Sequence, residues 1–180
     1  MDILTSDFQQ DYFHLFNLPI RFLIDGDALE RSYLALQVQV HPDKFAHLPE
    51  SERRLSMQWA TRVNEGYQTL RNPLNRARYL LSLHGVDTQE ELNTSMPTDF
   101  LMQQMEWREA LEEAKQARDA DALETLEQRV QQEDRALQRQ LAAAIDEARD
   151  YAVASGIVRK LKFLEKLAEE IGSAFDEIDS

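Results

Sequence analysis

Four consecutive residues, His41-Pro42-Asp43-Lys44, combine an imidazole, a rigid ring, a carboxylate and an amine. Proline lacks an amide hydrogen and pushes the preceding residue out of the helical region, so we expect a helix to end at or just before His41. The motif then lies on an exposed turn, and loops that carry such residues commonly carry function. Asp43 could accept a charge-assisted hydrogen bond from a partner's arginine or lysine, and His41 could supply a polar contact beside it.

The same two groups could instead serve as acid and base in an enzyme, but nothing else in the sequence supports this alternative. The chain has no Gly-rich phosphate loop and no serine or cysteine nucleophile motif. Its four histidines (His14, His41, His47 and His84) lack the His-x-x-x-His spacing of a metal site, and cysteine is absent. We therefore expect no enzyme activity, no metal and no cofactor.

Composition indicates a soluble globular protein. Hydrophobic residues make up 43% of the chain and charged residues 29%, and the formal net charge of −13 disfavours binding to nucleic acid. No apolar run reaches the roughly 20 residues that cross a bilayer. The start of the chain, with Asp2, Asp7 and Asp11, lacks the basic residues of a signal or transit peptide. The sequence thus predicts a cytoplasmic protein with no membrane or nucleic-acid partner.

The elements that position the motif are predicted to be helices, because Gly and Pro number only 5 each and apolar residues recur at three- and four-residue spacing. Asp27 followed by Glu30 resembles a capping box that opens the helix leading to Val40. Gly66 interrupts the next long helix at a cost of about 1 kcal/mol relative to alanine. The predicted helices are a short one between Phe8 and Asn17, one from Asp27 to about Val40, one from about Pro49 to Asn72, and one from Leu74 to His84, before Gly85. Six arginines make the last two helices basic, and most are expected to be solvated: Arg53, Arg54, Arg62, Arg71, Arg76 and Arg78.

Residues 85–97 are the weakest stretch for regular structure, and we place a linker there, after a first domain of residues 1–84. Residues 98–180 are predicted to form three long helices with short connections, which implies an antiparallel three-helix bundle in an all-α protein. These helices run from about Thr98 to Arg118, from after Asp119–Asp121 past Leu141, and from about Tyr151 to Ile178. The last is predicted to bury Ile157, Leu161, Leu164, Ala168, Ile171 and Phe175. The seam from Leu123 to Leu141 could be an intermolecular coiled coil, but it loses heptad phase after Val130, which favours an internal seam. We expect a monomer.

The first bundle helix has more apolar surface than one seam needs. Its core stripe is predicted to be Phe100, Trp107, Leu111 and Ala114. Leu101, Met102 and Met105 lie off this stripe, beside Glu106, Glu109 and Glu113, and Phe163 is displaced from the stripe of the last helix. Surplus apolar residues beside carboxylates indicate a partner-binding patch, and methionine suits adaptable surfaces. The alternative is that wide seams in the bundle bury all of these residues.

The motif and the helices around it resemble a J-domain, the domain of co-chaperones that stimulate ATP hydrolysis by DnaK-type chaperones. The resemblance is carried by Asp11-Tyr12-Phe13, by Leu29, Tyr33 and Leu36, by His41-Pro42-Asp43-Lys44, and by Ala60, Asn64, Tyr67 and Leu70. Residues 73–85, 100–106 and 158–164 narrow it to the HscB family, the J-type co-chaperones of iron–sulfur cluster assembly. The chain departs from that family's pattern at Val40, which stands where an aromatic residue is usual, and at Gly66, where alanine is usual. The helix before the motif is also poor in basic residues, with Val38 and Gln39 in its last turn.

The resemblance implies that the chain recruits an HscA-like DnaK-type ATPase and delivers an IscU-like iron–sulfur scaffold protein to it. The residues implied to bind the chaperone are His41, Pro42, Asp43, Lys44 and Arg31. The residues implied to bind the scaffold are Leu101, Met102, Met105, Glu106, Glu109, Glu113 and Phe163. The alternative is a general J-protein adaptor whose acidic bundle binds an unrelated client.

Overall fold

The computed structural model describes residues 7–47, 49–88 and 96–179, and all regular structure in these ranges is helical. The all-α class expected from the sequence is therefore confirmed. The helices are α1 (Tyr12–Leu15), α2 (Gly26–Val40), α3 (Pro42–Phe45), α4 (Glu50–Arg71), α5 (Pro73–Leu83), α6 (Thr98–Ala117), α7 (Ala120–Ala142), a π-helix (Ala143–Ala148) and α8 (Tyr151–Asp179). None of the helices in these ranges is long and apolar enough to cross a membrane.

The chain divides into two compact units, Met1–Leu80 and Leu81–Ser180. The predicted linker, residues 85–97, begins a few residues after this division, and residues 89–95 lie outside the described part of the chain. In the first unit α1, α2 and α3 pack against α4. The largest fully buried side chains of this unit include Trp59, Phe13, Phe16 and Phe22.

The caps of α1 and α2 are made by aspartates. The Asp11 carboxylate accepts a hydrogen bond from the His14 amide at 3.0 Å and opens α1. Partial burial acts to raise the pKa of Asp11, but the hydrogen bonds from the backbone and ring of His14 outweigh it and hold the pKa below 3.8. Asp25, whose carboxylate accepts from the Ala28 amide at 3.0 Å, caps α2. The predicted capping box at Asp27 is therefore wrong: the helix starts earlier, and Asp27 lies in its first turn.

The presence of a glycine in α4 is explained by contacts with residues distant in the sequence. A Cβ atom on Gly66 would lie 2.8 Å from Cδ1 of Tyr12 and 3.0 Å from Cε2 of Phe16. Phe16 is almost completely buried, so α1 approaches α4 too closely for any side chain at this position. Gly66 thus sets the distance between the two helices, in addition to its cost to helix propensity.

Two of the six arginines are structural, while three of the others are exposed. Arg62 donates a hydrogen bond to the Gln10 carbonyl, and its guanidinium lies over the rings of Phe8 and Tyr12, at 5.0 and 5.1 Å. Arg76 is buried, with its guanidinium 4.9 Å from the ring centre of Phe22. Both guanidinium planes therefore contribute packing surface as well as charge.

The end of α5 follows the expectation from Gly85. This residue has a φ of 73°, its amide donates to the Ser82 carbonyl, and the Val86 amide donates to the Leu81 carbonyl. The two bonds form a Schellman motif, in which glycine occupies the left-handed position without strain.

In the second unit α6, α7 and α8 pack on one another as a three-helix bundle. α6 and α8 run in the same direction, since Arg108 pairs with Glu170 and Lys115 with Glu177. The predicted core stripe of α6 is confirmed, because Phe100, Trp107, Leu111 and Ala114 are its buried residues. The seam of α7 is internal as well, with these residues buried: Leu123, Leu126, Val130, Leu137 and Leu141.

Two features of the bundle go beyond or differ from the expectation. The chain after α7 continues as a π-helix through Ala148, in a stretch to which the sequence assigned no element, and Arg149 then adopts a left-handed conformation with φ 54°. In α8 the predicted stripe is wrong at Ala168, which is exposed, while Leu167 is fully buried. Phe175 is half-buried and Ala174 is fully buried. From Leu164 the buried residues of α8 follow steps of three, four and three, through Leu167, Ile171 and Ala174, whereas the prediction used four, three and four.

Candidate functional site

The His41-Pro42-Asp43 motif lies in a turn of helix. α2 ends at Val40, as expected, but Pro42–Phe45 forms the single turn of α3, where the sequence predicted a loop. Pro42 takes the first helical position, where its missing amide hydrogen has no cost. Nδ1 of His41 accepts a hydrogen bond from the Asp43 amide at 3.3 Å, so the imidazole caps α3. Its other ring nitrogen, Nε2, carries the proton in this arrangement and is available to a partner.

The carboxylate of the motif is open to a partner. The side chain of Asp43 is 92% exposed and that of His41 is 59% exposed. Oδ2 of Asp43 lies 3.6 Å from Nδ1 of His41, so the two groups face the same side of the turn. Pro42 and Lys44 are exposed as well, and the structure brings these four residues together. Arg31 is exposed on α2 but precedes His41 by roughly 15 Å along the helix axis, and so forms a separate part of the surface.

A buried serine fixes the position of the motif. Oγ of Ser56 donates a hydrogen bond of 2.8 Å to the Val40 carbonyl, the last of α2, and Ser56 is fully buried. This bond ties the end of α2 to α4 immediately before His41. Sequence reasoning missed Ser56; the signal was a polar residue on the same face of α4 as Trp59 and Val63.

Farther along, α2 and α4 are joined by a ring stack and a polar network. The rings of Tyr33 and Tyr67 stack with centroids 3.9 Å apart and an interplanar angle of 9°. The Tyr33 hydroxyl donates to Oδ1 of Asn64 at 3.0 Å and accepts a hydrogen bond from Nε2 of Gln37. Together with the Ser56 bond, these contacts hold α2 and α4 together from the end next to the motif as far as Tyr33.

The second candidate surface is an apolar patch on α6. Leu101, Met102 and Met105 are 41%, 60% and 72% exposed. The alternative that the bundle buries them is therefore wrong. Glu106 and Glu109 are exposed four residues after Met102 and Met105, and exposed Glu113 follows Glu109 by four, on the same side of the helix. We call these six residues the α6 patch.

Phe163 belongs to the bundle core as much as to this surface. Its ring stacks on Trp107 at 6.3 Å and meets Phe100 edge-on at 5.9 Å. The guanidinium of Arg108 lies 5.5 Å from its ring centre, and Arg108 forms a bidentate pair with Glu170, at 2.9 and 3.3 Å. Phe163 is half-buried, so only one part of its ring is accessible.

Comparison with known proteins agrees with the two-part design. Residues 96–172 match a family model described as the HSCB C-terminal oligomerisation domain. A Co-chaperone protein HscB homolog of Azoarcus sp. (strain BH72) is 55% identical over 177 residues, which is 98% of this chain and 100% of that protein. The chain belongs to the HscB co-chaperone family.

Solved structures of HscB proteins share the fold. Chaperone HscB from Vibrio cholerae is 38% identical, covers 94% of this chain and 99% of its own, and superposes with a TM-score of 0.82. Human co-chaperone protein HscB is 32% identical, with 93% and 83% coverage and a TM-score of 0.87. An N-terminal J-domain followed by a helical bundle is the architecture of this family, so the motif at His41 lies in the J-domain. Within the described ranges no group of three or more His, Asp or Glu residues could hold a metal ion.

Proposed function

We propose that this HscB-family chain stimulates the ATPase of an HscA-like DnaK-type chaperone and delivers an IscU-like scaffold protein to it, in the cytoplasm, during iron–sulfur cluster assembly or transfer. The observation that carries the proposal is the pairing of an exposed His41-Pro42-Asp43 turn in the first unit with an exposed apolar and acidic patch in the second. Each unit thus offers one surface to one protein partner.

The chaperone-facing surface is proposed to be His41, Pro42, Asp43 and Lys44, with Arg31 farther along α2. Asp43 is almost fully exposed and offers both carboxylate oxygens to a cation of the ATPase. His41 is oriented by its own cap bond to the Asp43 amide, so its Nε2–H has a defined direction. In this proposal the motif biases the conformation of the ATPase and performs no chemistry itself.

The scaffold-facing surface is proposed to be the α6 patch together with Phe163. Its apolar centre provides area for burial, and its three glutamates favour a partner with basic residues around an apolar segment. Methionine side chains at two of its three central positions can adapt to the shape of such a segment.

Steady-state ATPase assays test the chaperone half. The chain and the scaffold added together should stimulate a DnaK-type ATPase more than either does alone. His41→Gln should abolish the stimulation, because glutamine cannot place a ring nitrogen toward the ATPase. His47→Gln is the matched control, since His47 is an exposed histidine outside the motif. Full stimulation of the ATPase by His41→Gln would refute the proposal.

A general J-protein adaptor with an unrelated client remains the alternative. Capture by the whole chain, compared with a chain carrying Met102→Ser and Met105→Ser, separates the two. Selective, patch-dependent capture of the cluster scaffold favours our proposal, and indifference to the scaffold favours the adaptor. We propose a monomer, whereas the matched domain's description names oligomerisation; sedimentation of the purified chain distinguishes the two states.

A further inference from the structure

An open groove of about 740 Å³ lies beside the His41-Pro42-Asp43 turn. It is lined by Leu34, Gln37, Val38, Val40, His41, Pro42, Lys44, Ala60 and Asn64, and so it is formed by α2, the start of α3 and α4. His41 and Pro42 are part of its wall, so a protein that contacts the motif lies next to this groove.

The groove is almost free of charge. From Ser32 to Val40, the last nine residues of α2, the chain carries no Asp, Glu, Lys or Arg. Lys44 is the one lining residue with a permanent charge. Long-range attraction between this wall and an acidic partner is therefore weak, and it is further screened by salt.

What the groove offers is apolar surface. Leu34 and Val38 are 53% and 61% exposed and lie one turn apart on α2. The polar residues of the wall are already engaged with each other, since Nε2 of Gln37 donates to Oδ1 of Asn64 at 3.4 Å and to the Tyr33 hydroxyl. Two exposed aliphatic side chains beside a rigid hairpin are a surface that gains free energy when a partner covers it.

We propose that this groove binds an uncharged, apolar segment of the ATPase partner, with a carboxylate of that partner meeting Lys44. The inference rests on the proposed function and deepens it. It assigns the binding free energy to apolar burial at Leu34 and Val38, and the stimulation of ATP hydrolysis to His41 and Asp43. The occupant is the ATPase because the groove is continuous with the motif that we propose contacts the ATPase. The segment is apolar because the wall offers no charge except Lys44 at the edge.

Calorimetric titration of a DnaK-type chaperone with the full chain tests this. Leu34→Ser and Val38→Ser should each raise Kd about fivefold to tenfold, as expected for losing the burial of one aliphatic side chain. Met57→Ser is the matched control: Met57 is 62% exposed on α4 and does not line the groove, so its Kd should stay at the parent value. The parent Kd should change less than about threefold between roughly 0.05 M and 0.5 M salt.

Val38→Lys separates this proposal from electrostatic docking. A lysine in an apolar contact loses hydration and should weaken binding, whereas an acidic partner surface would bind this variant more tightly. Tighter binding by Val38→Lys, or a steep loss of parent affinity with salt, would overturn the proposal. The proposal would also be overturned if the serine variants dissociated a dimer of the chain in sedimentation and kept full affinity for the chaperone. The groove would then hold a second copy of the chain.

The outcome also distinguishes this proposal from the function on which it rests. If His41→Gln abolishes ATPase stimulation while Leu34→Ser and Val38→Ser keep the parent Kd, the groove proposal alone fails. If the parent chain neither binds nor stimulates the ATPase, the proposed function fails as well. Circular dichroism should show parent helicity for every variant, because the substituted side chains are exposed.

Discussion

The ring of Phe163 on α8 stacks on the ring of Trp107 on α6, with centroids 6.3 Å apart and an interplanar angle of 17°. Trp107 is buried in the bundle core, whereas Phe163 is half-buried at its edge. The surface proposed to bind the scaffold therefore has two kinds of apolar residue. Leu101, Met102 and Met105 are exposed, and Phe163 packs on the core residues Phe100 and Trp107.

This division predicts two different results from substitution. Met102→Ser and Met105→Ser should each raise the Kd for an IscU-type scaffold about fivefold to tenfold without changing the free energy of unfolding, because only exposed area is lost. Phe163→Ala should weaken binding and also lower the free energy of unfolding by about 1–3 kcal/mol, since it removes part of an aromatic cluster. Calorimetry measures the Kd, and urea denaturation measures the free energy of unfolding.

Val153→Ser, at a 52% exposed position of α8, is the control. Parent affinity in both methionine variants would contradict the assignment of the α6 patch.

The bond from Ser56 to the Val40 carbonyl predicts a link between stability and ATPase stimulation. Ser56→Ala leaves a buried carbonyl without its donor and should lower the free energy of unfolding by about 1–3 kcal/mol. Because this carbonyl ends α2 immediately before the motif, stimulation should also fall at a temperature where the variant is fully folded. Thr61→Ala is the control on the same helix, since the Thr61 hydroxyl bonds the Met57 carbonyl on an exposed face. The free energy of unfolding of Thr61→Ala should differ from that of the parent by less than about 0.5 kcal/mol. Equal losses in both variants would refute a special role for Ser56.

The close approach at Gly66 predicts that alanine is destabilising there, against its helix propensity. Gly66→Ala gains about 1 kcal/mol from propensity but forces a Cβ atom against Tyr12 and Phe16, and overpacking of this kind costs about 1–3 kcal/mol. Tyr12 cannot move freely, because its ring is stacked on Tyr79 at 4.7 Å. We expect a net loss of stability in the first unit, which fluorescence of Trp59 reports in a Trp107→Phe background.

Gly172 supplies the matched control for this prediction. It lies within α8, and a Cβ atom there would meet nothing within 4 Å, so Gly172→Ala should stabilise its unit by up to about 1 kcal/mol. A Gly66→Ala variant that is stabilised to the same degree would show that α1 can shift away from α4 at no cost.

The comparison of Gly66 with the α6 stripe shows what sequence could supply. Phe100, Trp107, Leu111 and Ala114 were predicted correctly because burial on one face of a helix leaves a periodic pattern in the sequence itself. Gly66 could be seen only as a propensity cost, since its reason lies in the contacts with Tyr12 and Phe16, at least 50 residues away. A contact of that kind leaves no local pattern.

The wrong or missing predictions have the same origin, since they concern features that leave no local pattern in the sequence. Asp25 and Asp27 are both acidic residues near the start of α2, and only backbone geometry decides which one caps it. Ala168 was predicted where Leu167 is buried, because steps of three and of four residues both keep a side chain on one face of a helix. The π-helix at Ala143–Ala148 has an alanine-rich sequence that suits an α-helix equally well, so no residue marked it. The candidate site was predicted by motif, while Ser56 and Arg108, which support it, depend on contacts between helices.

A half-buried acid in α7 predicts a pH dependence of bundle stability. Burial raises the pKa of Asp134 above 3.8 and the nearby Glu165 adds to this, while hydrogen bonding from Gln138 and the charge of Arg135 oppose it. From pH 3.8 up to the raised pKa, the folded state binds more protons than the unfolded state, so the free energy of unfolding should fall as pH rises through this window. Asp134→Asn keeps an acceptor for the Gln138 amide and removes the charge, so it should flatten this fall and be more stable than the parent at neutral pH. Urea denaturation between about pH 3.5 and pH 7 measures both effects.

Glu124→Gln is the matched control, because Glu124 accepts from Gln128 at the same four-residue spacing on an exposed face of α7, and it should leave the slope unchanged. A parent-like slope in Asp134→Asn would show that burial of this carboxyl does not set the pH dependence.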